Sequence, residues 1–244
     1  MGVDKIKETE PLAKRIHVMT DADLDWSFEN GNSRAKYRLN TPNQNWVYTC
    51  YVDPFPCYSM DRDLVECIAE QVERNFPVPF KPSYFILAHE FDDRCNGMAS
   101  YNHIYLDGAD RPMPIDPIIV FSGKRIPIHP GMQRYLIAHE YGHVVDYNIT
   151  YMRKEEINAM DEEYAKMRGL SLDQKMGGRK WHTNIGEIMV NDFRVLFGNF
   201  EPEFWPHPVD HPNNSAVVKK FWDEMHAKYA KDTFPPWMDK DEKK

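Results

Sequence analysis

The chain predicts an α+β fold, with strands in the first half and helices in the second. Two patterns carry this. Short runs rich in β-branched and aromatic residues, closed by Pro or Gly, fill the stretch from 45 to 123. Beyond residue 130 the apolar residues recur at helical spacing, and the two kinds of element segregate along the chain. The bulk numbers agree: 244 residues, 42% hydrophobic and 28% charged, describe a globular chain long enough to bury a substantial core.

Taken in order, residues 1–45 are polar and poorly periodic and read as an N-terminal arm that packs on the body through Trp26 and Phe28. NWVYTCYV (45–52) is a strand that ends at an Asp-Pro-Phe-Pro breaker. SMDRDLVECIAEQVERNF (59–76) begins with a Ser/Asp cap. It carries Leu64, Val65, Ile68, Ala69, Val72 and Phe76 on one face, so it is an amphipathic helix, ended by Pro77 and Pro79. SYFILAH (83–89) is a strand apolar enough for the middle of a sheet, NHIYLDG (102–108) a strand with one wet face, and DPIIVFSG (116–123) another. Helices follow at 131–148, 155–169, 183–198 (with Gly198 as its C-cap) and 214–230, with a Gly-rich loop at 171–180. The expected organisation is an arm (1–45), one domain (46–235) and a polar tail (236–244). The domain would hold a small mixed sheet with a backing helix, then a helix carrying the chemistry, then a helical C-terminal half across a cleft.

A formal net charge of −8 and a pI near 5.7 argue against a nucleic-acid binder. No stretch approaches 18 consecutive apolar residues, so no membrane span is expected. Residues 1–20 carry charges throughout and no apolar leader core, so the expected location is cytoplasmic or on a particle. Cys50, Cys57, Cys67 and Cys95 form no C-x-x-C pair and read as free thiols.

The tripeptide Ala-His-Glu occurs twice, at 88–90 and 138–140. The second copy continues as His139-Glu140-Tyr141-Gly142-His143, an H-E-x-x-H motif inside a helical pattern. Helix positions four apart differ by about 40° around the axis and about 6 Å along it. Two imidazoles so placed can share one Zn²⁺, with Glu140 beside them to accept a proton from the water on that ion. Gly142 costs a helix about 1 kcal/mol relative to Ala, a cost that makes sense where a strand or ligand approaches closely. The first copy lies at a strand end, where His89 and Asp93 would be about 13 Å apart. His89-Glu90 is therefore read as structural. The third ligand must come from elsewhere, because Asp146 and Ile149 replace the Gly and His of the longer H-E-x-x-H-x-x-G-x-x-H pattern. Glu187, in TNIGEIMVNDFR and 44 residues after His143, is the preferred carboxylate, with Asp192 on the same helix as the competitor. Asp146 lies on the face of the two histidines, three residues after His143, and reads either as support for a ligand histidine, or for the Glu187 helix through Arg194, or as a solvated helix-end residue.

HEYGHVVDY followed by TNIGEIMVNDFRVL resembles the catalytic domain of the anthrax lethal factor family, gluzincin-type zinc metallopeptidases. The resemblance spans about residues 134–197 and rests on His139, Glu140, Gly142, His143, Asp146, Thr183, Asn184, Glu187, Phe193 and Arg194. It implies a zincin-like fold, zinc held by His139, His143 and Glu187, Glu140 as general base, and hydrolysis of peptide bonds in a peptide or protein substrate. Two positions depart from the family. Its catalytic tyrosine corresponds to Lys180, with His182, Lys180, Tyr141, Tyr147 and Tyr151 as candidates for that role. The acidic residue one turn past the ligand, which steadies a histidine, corresponds to Asn191. The strand 116–123 reads either as an edge strand that would hold an extended substrate or as an ordinary core strand. Three functions stay open: a zinc-dependent endopeptidase working through a zinc-bound water activated by Glu140; a zinc-binding scaffold with little or no catalysis, assembled with a partner through residues 1–45; and a zinc amidase.

Overall fold

The computed structural model describes residues 10–26, 34–41, 44–91, 95–104, 113–123, 130–153, 159–171, 183–198, 207 and 209–233. Its elements run β1 (Ile16–Val18), β2 (Leu24–Asp25), β3 (Arg34–Asn40), β4 (Asn45–Tyr51), α1 (Arg62–Asn75), β5 (Ser83–Ile86), β6 (Glu90–Phe91), β7 (Gly97–Ile104), β8 (Met113–Phe121), α2 (Pro130–Met152), α3 (Ala159–Arg168), α4 (Ile185–Phe197) and α5 (Ala216–Tyr229). The protein is an α+β fold. Strands dominate up to Phe121 and helices dominate after it, as the hydropathy pattern requires.

The strands form two sheets. The first is mixed, in the order β1-β5-β8-β7, with β1, β5 and β8 parallel and β7 antiparallel at one edge. The second is antiparallel, in the order β2-β3-β4-β6. The mixed sheet is the middle layer. Tyr84, Ile86, Ile119 and Phe121 point from one face into a core shared with α1, α2, α4 and α5. Phe85, Leu87, Ile118 and Val120 point from the other face into a second core with Leu24, Ala35, Tyr37, Leu39, Cys50 and Phe91 of the antiparallel sheet. A stretch of strand covered on both faces is apolar at successive positions, which is why residues 84–87 and 118–121 are continuous apolar runs.

The residues expected as an arm are, where described, part of the body. Within 1–45, β1 adds to the mixed sheet beside β5, and β2 and β3 build the antiparallel sheet. Arg15 anchors this segment with a buried bidentate pair to Glu73 of α1, at 2.7 and 3.0 Å, and with a hydrogen bond to the Pro82 carbonyl. Trp26 is 60% exposed and does not anchor it; Phe28 lies outside the described residues. The strand expected at 116–123 is interior, between β5 and β7, because its residues are covered on both faces. The edge belongs to β7, which begins at Gly97, earlier than the alternation at 102–108 suggested.

α1 is capped as its sequence predicts, with the Asp61 side chain accepting from Leu64 N at 2.9 Å. α2 is enclosed on nearly all sides: His139, Glu140, Tyr141, Gly142, Val144, Val145, Asn148 and Ile149 are all buried. Past its exposed first turn, its partly exposed positions include His143, Asp146, Tyr147 and Thr150, which recur at helical spacing and leave one stripe open. Asn148 fixes its far end by bonding both the N–H and the carbonyl of Phe80, at 3.0 and 3.2 Å. Among the described residues, no helix is long and apolar enough to cross a membrane.

Candidate metal centre

α2 sets His139 and His143 one turn apart, with ring centroids 5.1 Å from each other and planes nearly perpendicular at 86°. α4 brings the third residue. Asn184 caps it, its side chain accepting from Glu187 N at 3.4 Å. This places Glu187 in the first turn, where the helix dipole favours a carboxylate. Glu187 Oε2 lies 3.1 Å from His139 Nε2, and Oε1 lies 3.7 Å from His143 Nε2. One ligand atom from each of the three residues lies within 4.8 Å of the other two. Ligand atoms at 2.0–2.1 Å around a tetrahedral zinc stand about 3.3 Å apart, so the donor set fits that ion.

The two helices can come this close because of Gly142. A Cβ added there would stand 3.0 Å from Val190 Cβ and 3.1 Å from Phe193 Cδ1 on α4. The close approach that the glycine suggested is made by the helix that carries Glu187, where a strand or a ligand was expected.

The histidines differ electrostatically. Burial works against a charged His139, but the hydrogen bond and charge of Glu187, with Glu140 and Asn191, outweigh it and hold its pKa above the ordinary value. His143 is lowered to about 4, first by burial and then by the charge of His139, against the pull of Glu187. Its imidazole is therefore neutral at neutral pH, with one ring nitrogen offering a lone pair. Glu140 is raised to about 7, chiefly by burial and also by Glu187, while His139 and the Ala99 backbone hydrogen bond pull it down. That backbone contact sets Glu140 against the edge strand β7. A Cβ at Gly97 of the same strand would stand 3.0 Å from Glu140 Oε1.

Aromatic rings line the helix face that carries the histidines. Tyr135 stacks on His139, with centroids 5.8 Å apart and planes 10° off parallel. Tyr147 stacks on His143 at 6.4 Å and meets Tyr101 of β7 at 3.7 Å. Of the tyrosines considered for the role of Lys180, Tyr141 is committed elsewhere, its hydroxyl donating to the Phe76 carbonyl at 2.9 Å. Tyr151 packs edge-on against Phe80 at 5.4 Å. Tyr147 is the one of the three beside a ligand ring. Lys180 and His182 lie outside the described residues.

The remaining candidates separate cleanly. Asp192, the competitor of Glu187, is fully buried away from the histidines, 2.6 Å from Arg168 Nη2 and hydrogen-bonded by the Tyr164 hydroxyl. Burial still raises its carboxyl to about 6. Asp146 accepts from Thr150 Oγ1 at 3.4 Å, and burial and the charge of Asp161 raise its carboxyl well above its usual range. The partnership suggested between Asp146 and Arg194 is not formed, since Arg194 sits over the Tyr135 ring, 3.7 Å from its centroid. His89, in the first Ala-His-Glu copy, is structural, as expected, and is buried against neighbours. It reaches Asp21 Oδ1 at 2.7 Å and accepts from Asp53 N at 3.3 Å. Gly123 packs so tightly on that segment that a Cβ would stand 2.3 Å from the Ala88 carbonyl carbon.

Sequence reasoning missed Tyr135, Gly97 and His207. Tyr135 had a signal, lying four residues before His139 on one helix face. Gly97 and His207 had none, since only the fold brings them near.

No protein-family model matches the chain, and no curated protein or solved structure matches it either.

Proposed function

We propose that the chain is a zinc-dependent endopeptidase with a zincin-like fold, related to the catalytic domain of the anthrax lethal factor family. The observation that carries this is the convergence of Glu187 on the His139–His143 pair from a separate helix 44 residues downstream. His139, His143 and Glu187 would hold the metal. When bound, Zn²⁺ supplies Lewis acidity to a carbonyl oxygen and to a water molecule.

The residues of the chain do the rest. Glu140, buried beside the pair, takes a proton from the attacking water and delivers it to the leaving amine. Among the described residues β7 is the edge strand of the mixed sheet on the side of Glu140, so an extended peptide or protein segment would pair with it through main-chain hydrogen bonds. His182, close in sequence to the Glu187 helix, or Tyr147, beside His143, would donate to the developing oxyanion. The setting proposed with this reading is a reducing one, in the cytoplasm or on a particle.

The second reading is a zinc-binding scaffold with little or no catalysis that serves within a larger assembly. Lys180, standing where the family has its catalytic tyrosine, favours it. A peptide library separates the two. The parent is expected to bind one zinc and to cleave, and Glu140→Gln to keep zinc while cleavage falls by about 10²–10⁴-fold. Equal turnover by parent and variant would overturn the peptidase reading. Stoichiometric zinc without turnover by the parent would establish the scaffold.

A further inference from the structure

We propose that Tyr135 and His207 are positioning residues of this centre, holding the Asn191 carboxamide in the one orientation that turns Nε2 of His139 toward the ion. The inference rests on the metal-centre reading above.

Asn191 lies one turn after Glu187 on α4 and is fully buried. An amide offers two N–H donors and two acceptor lone pairs, and Asn191 uses all four. Its Nδ2 donates to the Glu187 carbonyl and lies 2.8 Å from both that oxygen and His207 Nε2. Its Oδ1 accepts from the Tyr135 hydroxyl at 2.8 Å and lies 3.2 Å from His139 Nδ1.

The backbone decides which end of the amide is which. A peptide carbonyl only accepts, so the group facing Glu187 O must be the NH₂. A flipped amide would set oxygen against oxygen there. Oδ1 therefore faces His139, whose Nδ1 must carry the proton. The lone pair of His139 is left on Nε2, the atom 3.1 Å from Glu187 Oε2. The same NH₂ makes His207 Nε2 an acceptor. One carboxamide thus links a ligand on α2 to the helix that carries the ligand on α4, and it sets the tautomer of each histidine that it touches.

Tyr135 and His207 are what keep that carboxamide in place. Tyr135 is half-buried, and its ring stacks on His139 and lies under the Arg194 guanidinium. Its hydroxyl is held ready to fill the second lone pair of Oδ1. His207 is buried and comes from beyond the end of α4, closing the NH₂ side.

The test is a zinc titration of the full chain against a chromophoric chelator, with the thermal midpoint of the metal-free protein measured in parallel. Tyr135→Phe keeps the ring and both stacking contacts and removes only the hydroxyl. His207→Leu removes the acceptor, and His207→Gln restores one. Tyr84→Phe is the control, losing a buried hydroxyl that donates to Glu73 in the core. Tyr135→Phe and His207→Leu are expected to weaken zinc by about 10-fold, the lower end for outer-shell partners. His207→Gln should recover most of the loss, and Tyr84→Phe should lower the midpoint with zinc affinity unchanged. Parental zinc affinity in both Tyr135→Phe and His207→Leu would overturn the clamp and leave the metal centre standing. A parent that binds no zinc would overturn both.

Discussion

Glu187 Oε2 stands 3.1 Å from His139 Nε2, while Asp192, on the same helix, turns into a cage of Arg168 and Tyr164. Two acids five positions apart thus have different work, and their variants should separate. Glu187→Gln is expected to lose zinc by more than the roughly 10–100-fold that outer-shell changes cost, with the metal-free fold little affected. Asp192→Ala leaves the buried guanidinium of Arg168 unpaired, and removing one partner of a buried pair costs about 3–5 kcal/mol. Its folded fraction should still bind zinc. Metal analysis beside urea unfolding checks this, and loss of zinc from well-folded Asp192→Ala would contradict it.

How much of this was legible follows from where each signal lies. His139, Glu140 and His143 are readable because one helix turn carries all three. Glu187 was preferred to Asp192 because it begins a helix 44 residues after His143. Of the antiparallel sheet only β4 was read. In β3, RAKYRLN, the period-two signal is present, with Ala35, Tyr37 and Leu39 inward, but charged residues on the outer face hide it. β1 and β6, at three and two residues, are too short to show a period. β8 was readable as a strand but not as an interior one, since that depends on β7 and β5 flanking it.

On the proposed reading protons and zinc compete for this centre, so zinc should stabilise the protein less in acid. Glu140, at about 7 against an ordinary 4.5, holds its proton more tightly when folded. It therefore favours folding at low pH, and that contribution is lost between about 4.5 and 7. His143, at about 4 against 6.5, does the opposite, and its contribution is gained as pH rises from about 4 to 6.5. These two oppose each other, while the raised carboxyls of Asp146 and Asp192 and the raised His139 add stability at low pH that is lost as pH rises. Zinc acts in one direction, because it needs His143 unprotonated and favours the Glu140 carboxylate. The rise in thermal midpoint given by zinc, taken at each pH against the metal-free protein, should be small at pH 5 and grow toward pH 8. A zinc increment that is flat across that range would count against the ligand set.

Gly142→Ala tests the seam between α2 and α4. Helix propensity alone predicts a gain of about 1 kcal/mol. The structure predicts the reverse, since the new Cβ would press on Val190 and Phe193 at 3.0–3.1 Å and on the Val190 carbonyl at 3.3 Å. Relief requires the helices to part, which draws Glu187 away from His139 and His143. Lower stability and weaker zinc together are the expected result, read by thermal melts with and without metal. A stabilised variant with parental zinc affinity would mean that the helices do not pack this closely.

Gly97→Ala tests the contact between the edge strand and Glu140, the proposed base. A Cβ there would stand 3.0 Å from Glu140 Oε1 and 3.2 Å from Leu136 Cγ and Cδ1. No metal ligand is touched, so zinc affinity should hold. Alanine in a strand also recovers part of the roughly 0.5–1 kcal/mol that glycine costs, so the fold should hold too. What moves is the Glu140 carboxylate, pushed off the Ala99 backbone contact that orients it. Displacing a catalytic group by about 1 Å can cost roughly 10²-fold in rate. The variant is therefore expected to bind zinc normally and to cleave peptides one to two orders of magnitude more slowly, with the loss in kcat. A full parental rate would place the working position of Glu140 away from β7 and remove that strand from the site.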